Sequence, residues 1–287
     1  MGMEYPLRVL PENEWPSLIA EMMDPPKKLY IRGALAETEH KLLAIVGSRA
    51  MTTYGKEITK KLVAGLRGYP ITIVSGLAIG IDACAHEAAI DAGLHTISVP
   101  GSGINDDVIY PARHKRLARR ILESGGALLS EFEPDFRATT WSFPARNRIM
   151  AGMSHAVLVV EARERSGTLI TSRLATDYNR DVLTVPGSVF SEGSAGPHML
   201  IRLGATPITS VDNLLEALHF EIEHEERKLP LDLSPDEQKL YGLLSEPMSR
   251  DELVRTCGLP TSSANVIVSL MELKGAITEC GGHIRRT

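Results

Sequence analysis

Three times in the first part of the chain, an apolar run of four or five residues stops at a turn of small residues and a helical pattern follows. LLAIV at 42–46 runs into Gly47-Ser48-Arg49, after which Thr52 and Thr53 offer an N-cap to a helix over 54–66. ITIV at 71–74 ends in Ser75-Gly76-Leu77-Ala78-Ile79-Gly80-Ile81-Asp82, and an Ala-rich helix is predicted over 82–92. HTISV at 95–99 ends at Pro100-Gly101-Ser102-Gly103. Strands joined through helices must lie parallel and be covered on both faces. Further strand patterns fall at 127–130, 156–160 and 182–185, with helices over 146–152, 169–179, 196–203 and 210–218. The expected fold class is therefore α/β, a doubly wound, Rossmann-like, mostly parallel sheet of about six strands.

In such sheets ligands sit at the carboxyl ends of the strands, so three Gly-bearing turns are expected to face one crevice. Backbone N–H groups at a helix start attract an anion, and Gly47 lets it come close. Arg49 adds a forked, permanently charged partner for phosphate. A nicotinamide cofactor is disfavoured, because Gly101-Ser102-Gly103 leads to Asp106 where a third glycine belongs. Ser75-Gly76 also stands where a ribose-binding acid is expected.

The stretch 136–150 (FRATTWSFPARNRIM) carries Arg137, Arg146 and Arg148 with Phe136, Trp141 and Phe143, and no acid. Aromatics are only 5% of the chain, so their clustering here is informative. Guanidinium groups beside aromatic faces suit a single-stranded nucleic acid, with cations on the phosphates and rings under the bases. The net charge of -5 restricts any such site to a local basic patch on an acidic body. A second basic segment, 111–123, reads as a solvated helix face.

No apolar run approaches the roughly 18 residues of a membrane span. The first residues lack the layout of a signal peptide. Cys84, Cys257 and Cys280 are scattered, without metal-ligand spacing, and fit a reducing cytoplasm. Residues 1–40 read as a short preamble, with a helix over 12–23, Trp15 in the core and a short strand at 29–31. Residues 41–219 form the Rossmann-like domain and 220–229 a charged linker. Residues 230–287 read as helix, helix, helix and hairpin, a winged-helix domain. Met199-Leu200-Ile201 is a candidate dimer face.

IVGSR at 45–49, SGLAIGID at 75–82, IYPARH at 109–114, FPARNRIMAGMS at 143–154, SGTLIT at 166–171 and PGS at 186–188 together resemble the DNA-processing protein A (Smf) family. Ile79 stands where that pattern has a basic residue, and Gly196-Pro197-His198 replaces its Gly-x-Asn turn. The resemblance implies a cytoplasmic, homodimeric protein that binds and protects single-stranded DNA in natural transformation. It implies loading of the RecA recombinase onto that strand, with no metal and no cofactor. By position it implies phosphate binding by Arg49, Arg146 and Arg148. Backbone and hydroxyl contacts would come from Gly47, Ser48, Ser75, Gly76, Ser166 and Gly167. Asn147 would bond a phosphate or a base edge, and Phe143 would stack on a base. The alternative on the same fold is a nucleotide phosphoribohydrolase, which needs an acid after its Gly-Thr turn. Here Glu161 precedes Ser166-Gly167-Thr168 and no acid follows. Asp82 is expected to cap its helix and His86 to be structural, so catalysis is not expected.

Overall fold

The computed structural model describes residues 5–221 and 233–286, apart from the side chain of Cys280. The chain divides into two compact units, Met1–Ile222 and Glu223–Thr287. The first holds β1 (Arg8–Leu10), β2 (Leu29–Gly33), β3 (Lys41–Val46), α1 (Thr53–Gly65), β4 (Ile71–Ser75), α2 (Ile81–Ala92) and β5 (His95–Ser98). A 3-10 turn at Ala112–His114 leads into α3 (Lys115–Glu123) and β6 (Ala127–Ser130). Then come α4 (Ser142–Met153), β7 (Ala156–Val159), α5 (Thr168–Asp177), β8 (Asp181–Thr184), α6 (Ala195–Arg202), β9 (Thr206–Pro207) and α7 (Val211–Ala217).

The sheet has nine strands in the order β1-β2-β6-β5-β4-β3-β7-β8-β9. Strands from β6 to β9 in that order are parallel, whereas β2 pairs antiparallel with β6 and β1 antiparallel with β2. Successive residues of β3 point to opposite faces. Leu43 and Ile45 pack with Leu62, Val63, Ile81, Ala85 and Leu214 of α1, α2 and α7. Ala44 and Val46 pack with Ile149, Met150, Ala175 and Leu200 of α4, α5 and α6. Both faces are buried, which is why these strands read as continuous apolar runs.

Three expectations are corrected. The helix expected over 12–23 is replaced by 3-10 segments at Glu12–Glu14 and Ser17–Glu21. Pro16 lies between them, lacking an N–H and crowding the preceding turn. Trp15 is partly buried against the core and donates from Nε1 to the Leu10 carbonyl at 2.9 Å. The segment before β3, expected as a separate preamble, is instead part of the sheet: its strand at 29–31 is β2, and β1 pairs with it at the edge. Finally, α4 starts at Ser142 rather than near Arg146, because Pro144 falls in the first turn, where a missing N–H costs nothing.

The second unit contains α8 (Pro235–Leu243), β10 (Met248–Ser249), α9 (Arg250–Thr256), α10 (Thr261–Leu273), β11 (Ile277–Cys280) and β12 (His283–Arg286). Its three strands are ordered β10-β12-β11. Ser234 and Glu237 form a reciprocal capping box on α8. Leu240, Leu253, Val268, Met271 and Ile284 make a separate core. This is a winged-helix arrangement. The charged segment expected at 220–229 lies, beyond Glu221, outside the described residues.

Candidate nucleic-acid interface

The strand order reverses at β3: the chain winds outward through β4, β5 and β6, then returns to β7 on the other side of β3. A crevice opens where neighbouring connections diverge in this way. Here it is a cleft of about 620 Å³. Residues 46–50 after β3 line it, as do Ala78 and Asp82. α4 and its approach contribute Thr140, Phe143, Arg146, Asn147 and Met150, and the β7–α5 loop contributes Arg163, Arg165, Ser166, Gly167 and Thr168.

The walls are locked to one another. A Cβ on Gly47 would lie 2.6 Å from Cγ1 of Ile81, so only glycine lets the first turn sit on the start of α2. Gly80 has φ +87°, a conformation that favours glycine, and the next N–H, of Ile81, donates to the Ser48 carbonyl at 3.2 Å. Thr168 Oγ1 donates to the Gly47 carbonyl at 3.2 Å, joining the β7–α5 loop to the same turn. The N-terminus of α5, the partly positive end of its dipole, borders the cleft.

Arg146 lies beneath this floor, 4% exposed. Its Nη1 donates to the Val99 carbonyl. Burial lowers its pKa to about 10, opposed by the Asp82 carboxylate and assisted by Arg49, so it stays cationic at neutral pH. Asp82 is buried too, and burial raises its pKa against the pull of Arg146. Contrary to expectation it does not cap α2, whose N-cap is Gly80. Its Oδ2 instead accepts from the N–H groups of Gly76 at 3.2 Å and Ala78 at 3.4 Å, closing the loop after β4.

Of the residues singled out from sequence, Gly47, Ser48, Arg49, Phe143, Arg146, Asn147, Ser166 and Gly167 meet in the cleft. Arg49 is exposed, and its guanidinium carbon lies 5.3 Å from the centre of the Phe143 ring. Ser75 is fully buried, and its Oγ donates to the Ile45 carbonyl at 2.6 Å. Gly76 underlies Arg146 rather than facing the cleft. Gly101 does not line it either: a Cβ there would be 2.6 Å from Phe143 Cδ1, so that turn seats the ring. The structure does not bring Arg148 to the cleft. Its Nη2 bonds Glu131 and its Nη1 donates to the Asp24 carbonyl at 2.5 Å.

Arg163 and Arg165 line the cleft, are exposed, and were missed from sequence. Two cations flanking Glu164 in the loop after β7 were the available signal. Arg163 also pairs with Glu192 at 3.2 Å. The lining therefore carries four arginines and one aspartate.

Whereas Glu164, the acid within the loop itself, is exposed, Glu161, just past the end of β7, is buried and committed elsewhere. It accepts from Thr52 N at 2.9 Å and Thr52 Oγ1 at 2.5 Å. His86 is fully buried against Thr96 Oγ1, and burial holds its pKa down to about 3. Gly196-Pro197-His198 falls in the first turn of α6, which packs on the loop after β7, with Gly196 N–H donating to the Ala162 carbonyl at 2.8 Å. His198 Nε2 lies 3.0 Å from the Gly187 carbonyl. Leu200, part of the candidate dimer segment, is core. Among the described residues there is no group of three metal-ligating side chains and no helix long and apolar enough to cross a membrane.

Residues 7–219 match the model of DNA recombination-mediator protein A, and residues 224–283 match that of the DprA winged helix domain. Protein Smf of Escherichia coli is 38% identical over 94% of this chain and 75% of its own length. DNA processing protein DprA of Streptococcus pneumoniae is 39% identical over 76% of each chain. The solved structure of the S. pneumoniae protein superposes with a TM-score of 0.68 over 76% of this chain and 75% of its own. DNA processing protein A from Helicobacter pylori, whose structure concerns its single-stranded DNA binding mode, is 31% identical with a TM-score of 0.65, over 75% of this chain and 96% of its own.

Proposed function

The chain belongs to the DNA recombination-mediator protein A family, and on that premise we propose that it binds single-stranded DNA in the cleft at the β3 switch point. We further infer that, as a cytoplasmic homodimer, it protects incoming strands and loads the RecA recombinase onto them in natural transformation, without metal or nucleotide cofactor. The observation that carries the reading is four arginines against one aspartate around an aromatic ring, in a protein whose net charge is -5. Exposed Arg49, Arg163 and Arg165 track phosphates. Buried Arg146 supplies a fixed positive field and holds the floor. Gly47, Ser48, Ser166 and Gly167 offer main-chain and hydroxyl groups beside the α5 dipole. Phe143 stacks on an unpaired base, which a duplex does not present, and Asn147 bonds a phosphate or base edge.

A hydrolytic role on this fold is disfavoured by the engagement of Glu161 with Thr52 and by the lack of an acid after Thr168. The test combines two assays on the purified protein. Recombinase filament growth on single strands coated with a single-strand-binding protein is followed with and without it, and nucleoside monophosphates are assayed for release of free base. Acceleration in the first and none in the second supports the reading. Base release lost in Glu161→Gln supports the hydrolase instead.

A further inference from the structure

The basic segment that reads from sequence as a solvated helix face stands in a specific place. Between Tyr110 and Glu123 the chain carries five cations, Arg113, Lys115, Arg116, Arg119 and Arg120, against one carboxylate. All five are exposed, while Leu117, Ala118, Ile121 and Leu122 turn inward. Arg119 pairs with Glu123 at 3.1 Å and Arg120 with Asp91 at 3.7 Å. Among the described residues, Arg113 and Arg116 have no acidic partner. Lys115 reaches only the Asp107 carbonyl, at 3.4 Å. Of the nearby acids, Asp106 is taken by Arg32 at 2.5 Å and Asp107 is exposed.

The start of this segment is tied to the cleft. His114 Nδ1 lies 2.7 Å from the carbonyl of Leu77, in the loop that Asp82 closes. The Tyr110 ring, 49% exposed, packs 5.6 Å from the Phe143 ring at a tilt of 47°. Phe143 in turn carries Arg49 on its face. Arg49, Phe143 and Tyr110 thus run in contact from the cleft to the segment that carries Arg113, three residues on in the chain. From there the helix carries its cations, Lys115 to Arg120, over about 7.5 Å, at 1.5 Å per residue.

We propose that a single strand longer than the cleft leaves it over Tyr110 and runs along the cationic face of α3. Tyr110 offers a second stacking surface and Arg113, Lys115 and Arg116 neutralise successive phosphates. The proposal rests on the cleft being the primary site, but is tested separately from it. An oligothymidylate of about 6 nucleotides fills the cleft alone, and one of about 25 reaches the helix as well. Binding of both is titrated across salt for the wild type, Arg113→Ala/Arg116→Ala, the matching double lysine variant and Arg49→Ala.

For the double alanine variant the expected result is unchanged affinity for the short probe. The long probe should bind at least about tenfold more weakly, with a salt slope shallower by about 1.4, at about 0.7 per lost contact. The double lysine variant should retain the slope. A double alanine variant that binds the long probe as the wild type does overturns the track. So does one that weakens both probes equally. If Arg49→Ala leaves both probes unaffected, the cleft reading itself fails, whatever the helix variants do.

Discussion

The guanidinium of Arg146 occupies the space that a side chain at residue 76 would need: a Cβ on Gly76 would lie 1.9 Å from Nη1. The glycine is there to admit a buried cation, and the cation in turn faces the carboxylate that closes the same loop. Gly76→Ala is therefore expected to overpack the site, costing about 1–3 kcal/mol of unfolding free energy in a urea titration. It should weaken single-strand binding as well. Wild-type stability with wild-type binding would show that Arg146 has room to move.

Arg148 is expected to act on stability and not on phosphates. Its side chain is 18% exposed and that of Glu131 14% exposed, and burial raises the Glu131 pKa against the pull of Arg148. Arg148→Ala strands that carboxylate, at about 1.5–3 kcal/mol. The slope of log affinity against log salt should stay at the wild-type value. A slope shallower by about 0.7, with no loss of stability, would return Arg148 to the DNA-contacting set.

His86 predicts an acid-side loss of stability. Its folded pKa, about 3, lies below the ordinary 6.5, so the unfolded chain takes up the proton first as pH falls. Its contribution is fully present above pH 6.5 and drains away between there and the folded value. From pH 8 to pH 5 that loss is about 2 kcal/mol. In His86→Gln the pH dependence between those points should be weaker by that amount. Equal pH dependence in the two proteins would mean that His86 is not held neutral.

The winged-helix unit is expected to add little to single-strand affinity. Arg250 is held by Glu272 and Glu279. Lys274 is paired with Glu237 at 2.7 Å. Val266, Leu270 and Leu273 make an exposed apolar row on α10, where a groove-reading helix would carry cations. A chain ending after residue 226 should bind single strands within about tenfold of the full protein, roughly 1.4 kcal/mol. A larger loss, with the shortened protein still folded, would move the main site to this unit.

The parallel strands were legible because strands buried on both faces read as plain apolar runs, and Gly47, Gly76 and Gly101 punctuated them. Of the antiparallel strands, β2 was legible as a short run at 29–31, but β1 was not, because a three-residue edge strand near a terminus leaves little periodicity. Arg49 and Phe143 were legible from residue type, and Asn147 only through the family resemblance. What spacing along α4 did not reveal is that Arg146 faces the floor while Arg148 faces Glu131. Two residues apart on a helix they sit about 200° apart, at 3.6 residues per turn, so one motif serves two faces. Arg163 and Arg165 were not legible because Glu164 between them makes the loop read as mixed charge. Only the sheet order sets that loop against the turn after β3.

The central claim is that the cleft at the β3 switch point holds the phosphates of a single strand, and Arg49 tests it most directly, being exposed and seated on Phe143. The measurement is an equilibrium titration of single-stranded and duplex oligonucleotides of equal length across salt, for the wild type and Arg49→Ala. The account predicts at least about tenfold preference for the single strand, or 1.4 kcal/mol. In the folded Arg49→Ala protein it predicts weaker binding and a salt slope shallower by about 0.7. Equal wild-type affinity for the two forms, or an Arg49→Ala protein with unchanged affinity and slope, would contradict it.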